Sequence, residues 1–231
     1  LLTHVERKSA AFLIAPEDQA LMLLYAERLD ALLKPGRWGS ARPLAEVAPA
    51  LFAWPLQPDA GAAEENRAAL TALGAYVAGI SLPRLLEGES RSIRRAPRVL
   101  LTLHGRRDFA EHFAIAAALS ANGGSRLANA LSLIKEEEDA RKGSGFSFTD
   151  LAVDRAGVRL AERATGADAL RIRRSLAAVR GDAALLPDFR DLPEFMPQAE
   201  FERRFGPVGG PRYQQVIGRI DARLDAHPLT R

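Results

Sequence analysis

Asp150 and Asp154 stand four residues apart on the apolar face of a helical pattern running from Asp150 to Ala164. At about 100° per residue they lie within roughly 40° of Gly157, Ala161 and Ala164, flanked by Leu151, Val153, Val158 and Leu160. Arg155, Arg159, Glu162 and Arg163 take the opposite side. Both carboxylates therefore point inward, and a buried carboxylate is costly unless it is paired, hydrogen-bonded or bound to a metal.

The partners are expected on the two preceding helical patterns. In Arg106 to Ala121, Asp108, His112, Ile115 and Leu119 share a stripe, and the i, i+4 spacing lets Asp108 orient the His112 imidazole and fix its tautomer. In Ser125 to Ala140, Ser125, Asn129, Ser132, Glu136 and Asp139 form one polar stripe opposite Leu127, Leu131 and Ile134. A turn at Asn122-Gly123-Gly124 makes these two helices an α-hairpin, which brings Glu136 and Asp139 to the end that holds Asp108 and His112. The loop Gly143-Ser144-Gly145 then leads into the helix of Asp150 and Asp154.

Two kinds of chemistry fit such a gathering. A metal site built from Asp108, His112, Glu136, Asp139, Asp150 and Asp154 is rich in oxygen with one imidazole, which suits Mn, Fe, Mg or Ca better than a structural zinc. In that reading His112, Glu136 and Asp154 are the catalytic residues, a bound water is activated, and a spare carboxylate serves as general base. The alternative is a structural network in which Arg106, Arg107, Lys135 and Arg155 neutralise the carboxylates and fix helix register. Asp150 has a further explanation, because Ser147 three positions earlier makes a capping-box-like helix start.

The elements that must position these residues are helical. Alanine, leucine and arginine are abundant, aromatics make up only 6% of the 231 residues, and 47% of the chain is hydrophobic. Helices are expected from Pro16 to the stop at Pro35-Gly36, from Pro43 to before Pro55, and from Ala62 to about Ile80. Val99 to Leu103 is a short apolar run, read as a helical turn in preference to a strand. Further helices are expected at Asp168 to Val179 and Pro211 to Asp225. Between them lies a proline-punctuated stretch anchored by Phe189, Phe195, Met196, Phe201 and Phe205.

The fold class is thus all-α, a single-domain helical bundle over residues 1–231. Residues 1–85 supply N-terminal helices, 106–165 the central helices around the polar centre, and 185–231 a C-terminal wrap. Other chemistries drop out. There is no cysteine, so disulfides, thiol catalysis and iron–sulfur clusters are excluded. Arg91 to Arg98 and Arg171 to Arg174 lack interleaved aromatics and any reading motif, so they are expected to be solvated faces and no nucleic-acid partner is expected. No apolar run is long enough for a membrane span. His-Glu-x-x-His, a Walker loop, a hydrolase elbow and paired Glu-x-x-His motifs are all absent.

His112, Lys135-Glu136 with Asp139, Gly145-Phe146-Ser147 with Asp150-Leu151, and Asp154 with Gly157 together resemble a pattern of small uncharacterised bacterial envelope proteins, the YfiM-like lipoprotein type. The resemblance covers residues 112–157. It implies a helical protein of the periplasm or outer membrane of a Gram-negative bacterium, with His112, Glu136, Asp139, Asp150 and Asp154 as the polar set and an envelope component as partner, but no activity. A chain that begins at Leu1 reads as a mature or trimmed product, from which a signal peptide or lipid-attachment cysteine would already be missing. The function expected is a metal-dependent hydrolase of the cell envelope or, alternatively, a non-enzymatic scaffold or binding module.

Overall fold

The structure, a computed structural model, describes residues 18–34, 41–83, 99–123 and 145–231. In chain order these form α1 (Gln19–Leu32), β1 (Ala41–Pro43), α2 (Leu44–Phe52), α3 (Ala62–Val77), β2 (Leu100–Thr102), α4 (Arg107–Gly123), α5 (Phe148–Ala164), α6 (Ala169–Ala177), a 3₁₀ turn (Asp182–Ala184), α7 (Gln198–Phe205) and α8 (Pro211–Ala226). The fold is mostly helical, as composition predicts. Among the described residues the main hydrophobic core extends from Met22 to Leu229, with Ala116, Leu119 and Val158 as a small second cluster.

α4 lies at the centre, between α3 and α5. Its buried side chains are mainly alanines, with Phe109, Phe113 and Leu119 as the large ones. Small side chains let the neighbouring backbones come close, and a glycine completes the approach on each side. A Cβ placed on Gly74 of α3 would stand 2.5 Å from the Ala118 Cβ and 2.8 Å from the Ala114 carbonyl oxygen. One placed on Gly157 of α5 would stand 2.3 Å from the Phe113 carbonyl oxygen. Neither helix could pack on α4 at this distance with any other residue there.

Val99 to Leu103 is not helical. Leu100–Thr102 pairs in parallel with Ala41–Pro43, in the register Leu101 opposite Arg42. A run this short carries no decisive period, so the long-range strand partner settles it. β2 then turns tightly into α4: Leu103 and Arg106 exchange both backbone hydrogen bonds around His104 (φ 50°) and Gly105 (φ 73°), the left-handed pair of a type I′ turn. Asn122 and Gly123, expected in a turn, are the last residues of α4. The expected helix at 125–140 lies outside the described residues, as does the basic cluster Arg91 to Arg98.

The C-terminal wrap is held by aromatic packing. Phe201 stacks on Phe146 at 4.2 Å between ring centroids, and Phe205 meets Phe148 edge-on at 4.9 Å. Phe189, Met196 and Phe201 are buried as expected, but Phe195 is 52% exposed and cannot be an anchor. Its backbone is in the left-handed region (φ 55°), immediately before Met196, which is bound backbone to backbone to Phe146. α8 is clamped to α5 by Arg155, which forms a fork with Asp221 at 2.7 and 2.9 Å, and by Arg159 with Asp221 and Asp225.

A second polar group inside the core was not foreseen. Arg173, placed by sequence on a solvated face, is 4% exposed. It donates to the Tyr25 hydroxyl (2.8 Å), the Trp54 carbonyl (2.7 Å) and Asn66 Oδ1 (3.2 Å). Glu65, fully buried, accepts from the Tyr25 hydroxyl and from the Gln57 backbone N–H. Asn66 Nδ2 donates to the carbonyls of Ala164 and Ala169, joining the end of α5 to the start of α6. Each charge is thus paired or hydrogen-bonded, which is what makes its burial tolerable.

Removing the cation with Arg173→Leu would strand Glu65 and is expected to cost about 3–5 kcal/mol in urea unfolding. Burial first, and then the hydrogen bond to Glu65, push the Tyr25 hydroxyl up from 10.0 to about 12. A raised value means the stabilisation is complete below the ordinary tyrosine range and is lost as pH rises toward about 12. A tyrosinate absorbance titration should therefore find one of the three tyrosines ionising near pH 12, together with the loss of structure.

Candidate functional site

The close approach at Gly157 decides what faces His112. Gly157 touches the Phe113 carbonyl, the residue after His112, and Asp154 lies one turn earlier on α5. The result is an imidazole held between two carboxylates of the adjacent helix. His112 Nδ1 is 2.9 Å from Asp154 Oδ1, and His112 Nε2 is 3.5 Å from Asp150 Oδ2. All three are largely enclosed: Asp150 is 8% and Asp154 5% exposed, and the His112 side chain 13%.

A carboxylate only accepts hydrogen bonds, so its contact assigns the proton to Nδ1 and leaves Nε2 facing Asp150. At 3.5 Å the second contact is too long to be a good hydrogen bond. The two carboxylates therefore do different work. Asp154 fixes the tautomer and the plane of the ring, while Asp150 sits beside Nε2.

Asp150 is fixed from its backbone as well. Ser147, the N-cap of α5, accepts from the Asp150 N–H at 3.2 Å, as the capping pattern predicts. The Ser147 and Thr149 hydroxyls are 2.7 Å apart, and Thr149 donates to Glu194 Oε2 at 2.8 Å. Pro193 accepts from the Phe148 N–H at 2.9 Å. The C-terminal wrap thus holds the first turn of α5 in place through residues that the sequence reading did not pick out. The one available signal was the capping motif.

Asp108 does not orient the imidazole. It pairs instead with Arg106 at 2.5 Å, and Arg106 also reaches Glu194 at 2.6 Å and lies over the Phe109 ring at 4.1 Å. An i, i+4 neighbour is available on the helix surface, but a guanidinium already held by a second carboxylate and an aromatic face is the stronger partner. Burial raises the Asp108 carboxyl, but hydrogen bonding and charge from Arg106 outweigh it and leave Asp108 below the ordinary carboxylate range. Asp154, on another helix, takes the role expected of Asp108.

Of the six proposed metal ligands, the structure brings together His112, Asp150 and Asp154 and places Asp108 in another ion pair. Glu136 and Asp139 lie outside the described residues. Among the described residues no group of three or more histidine, aspartate or glutamate side chains is arranged to hold a metal ion. Arg155, proposed as a neutralising partner, turns to Asp221, and Arg107 turns to Glu111. No helix of the described residues is long and apolar enough to cross a membrane.

No protein-family model matches the chain, and no curated protein or solved structure is found to be similar to it.

Asp154→Ala removes the acceptor of a buried imidazole and is expected to cost about 2–3 kcal/mol in urea unfolding. Asp108→Ala removes a half-exposed ion pair and should cost about 1 kcal/mol or less. The reverse order would mean that Asp108, not Asp154, supports the site.

Proposed function

We propose that this chain is a helical protein of the bacterial cell envelope, periplasmic or associated with the outer membrane, in which His112, Asp150 and Asp154 form the core of a metal-dependent hydrolytic centre. The observation that carries this reading is the division of labour around one imidazole. Asp154 holds Nδ1 at 2.9 Å, and Nε2 is turned toward Asp150 Oδ2 at 3.5 Å. A carboxylate that fixes a histidine through its far nitrogen is the usual outer support of a metal-binding histidine. Two ligands each about 2.1 Å from one ion stand about 3.0–3.5 Å apart at ordinary coordination angles. The fit is partial, since Nε2 and Asp150 supply two donors; Glu136 and Asp139 are the candidates, read from the sequence, to complete the set.

A hard divalent ion such as Mn, Fe, Mg or Ca would supply an activated water when bound there. The chain's own residues divide the remaining tasks. Asp154 keeps the imidazole in one tautomer, the α5 cap at Ser147 steadies Asp150, and a carboxylate not engaged by the ion acts as general base. In this scheme Asp154 supports the ligand and does not itself coordinate, which refines the role expected of it from sequence.

The enclosure of both aspartates favours a second reading, a scaffold or binding module in which the same three residues lock α4 to α5. Titrating Mn²⁺ into protein purified without chelator separates the two. The hydrolase reading predicts stoichiometric binding that is abolished by Asp150→Asn and weakened about 10–100-fold by Asp154→Asn. Absence of binding at millimolar Mn²⁺, Mg²⁺, Fe²⁺ and Ca²⁺ would leave the scaffold.

A further inference from the structure

Two histidines far from the candidate site grip one short segment. From the turn before α4, the His104 backbone N–H donates to Asp182 Oδ2 at 2.7 Å, and its Nε2 reaches the Leu186 carbonyl at 3.0 Å. From the end of α8, His227 Nε2 reaches the Ala183 carbonyl at 3.1 Å. Residues 182–186 therefore tie the chain's last turn to the β2–α4 turn.

The two grips differ chemically. A carbonyl accepts, so each Nε2 carries a proton and the neutral ring leaves Nδ1 as an acceptor. At His227 that acceptor is used: it faces the Leu229 N–H at 3.4 Å inside a closed terminal turn. The turn is completed by Thr230 and Arg231 N–H donating to the His227 carbonyl and by the Thr230 hydroxyl on the Leu224 carbonyl. His227 is 8% exposed. A second ring proton would set two N–H groups against each other in a space largely closed to water.

We propose that His227 is an acid-sensitive clasp, which holds the C-terminal turn on residues 182–186 while its ring is neutral and releases it on protonation.

The charged groups around it are committed elsewhere. On α8, Asp225 pairs with Arg159 and Arg223 with Asp191. From α5, Arg163 binds Asp168 and the Pro228 and Arg231 carbonyls. From the 3₁₀ turn, Asp182 accepts from His104, and beyond it Asp188 pairs with Arg190. Among the described residues no carboxylate is within ion-pairing distance of the His227 ring, so an imidazolium there gains no partner. Burial accordingly holds the ring below the ordinary histidine range, against a smaller opposing effect of the Ala183 carbonyl. With a depressed value, the stabilisation is complete above the ordinary range and is lost as pH falls through the folded-state value.

Amide hydrogen exchange on the full chain, corrected for intrinsic rates, tests this from about pH 7.5 to about pH 5. Opening at Leu229 and Thr230 and at residues 184–186 should rise by up to about tenfold per pH unit below about pH 6.5 in the native chain. It should stay flat in His227→Gln, whose amide can donate to Ala183 and accept from Leu229 without titrating. Flat exchange in the native chain, or the same rise in the variant, overturns the proposal. If the variant does not fold, ring titration of His227 in the native chain by NMR decides: ionisation below the ordinary histidine range supports the clasp, and ionisation at or above it refutes it.

Discussion

The close passage of three helix backbones is the constraint on which the rest depends. α4 is mostly alanine on its buried faces, and it meets α3 at Gly74 and α5 at Gly157 with no space for a Cβ at either contact. A helix pair that close has a single workable register, since sliding by one residue would drive a side chain into a backbone. That register sets the ring of His112 against Asp154 and Asp150. Glycine in a helix interior costs about 1 kcal/mol relative to alanine, and here the cost is offset by the packing it permits.

Two buried polar groups grow from this frame, and they are built differently. Around Glu65 and Arg173, the charges, Tyr25, Asn66 and four backbone groups close into one network, joining α1, α3 and α6 to the end of α5. Its role follows from its completeness: it fixes how the helices meet. Around His112, two carboxylates converge on one ring with unequal contacts, 2.9 and 3.5 Å. An arrangement meant only to lock two helices would gain most from two short hydrogen bonds. The unequal pair holds one ring nitrogen closely, at Asp154, and sets the other beside Asp150.

The sequence revealed this site to the extent that helical periodicity could. Asp154 was legible because a carboxylate on an apolar helix face is an energetic anomaly that needs a partner, and His112 because it sits in a helix apolar almost all round. Which carboxylate would meet the imidazole was not legible. Asp108 is its neighbour along the helix, and only the crossing of α4 with α5 shows that Asp154 is closer. The same limit hid Arg173, which stands in a run of arginines where Ile172 and Leu176 were the only hint of an inward face. Glu65 stands in the first turn of a helix, where a carboxylate is favourable for local reasons, so nothing in the sequence marks it as buried. β2 escaped because its five-residue apolar run is decided by a partner strand more than fifty residues away, and the exposed Phe195 because nothing local predicts a left-handed phenylalanine.

If glycine contact is what creates the His112–Asp154 bond, that bond must depend on Gly157. A double-mutant cycle between His112→Ala and Asp154→Ala, measured by urea unfolding in the native chain and again in a Gly157→Ala background, tests this directly. The coupling is expected to be about 1–3 kcal/mol in the native chain and close to zero once a methyl group holds the two helices apart. A coupling of equal size in both backgrounds would contradict the account, because it would show that histidine and aspartate find each other without the close packing of α4 on α5.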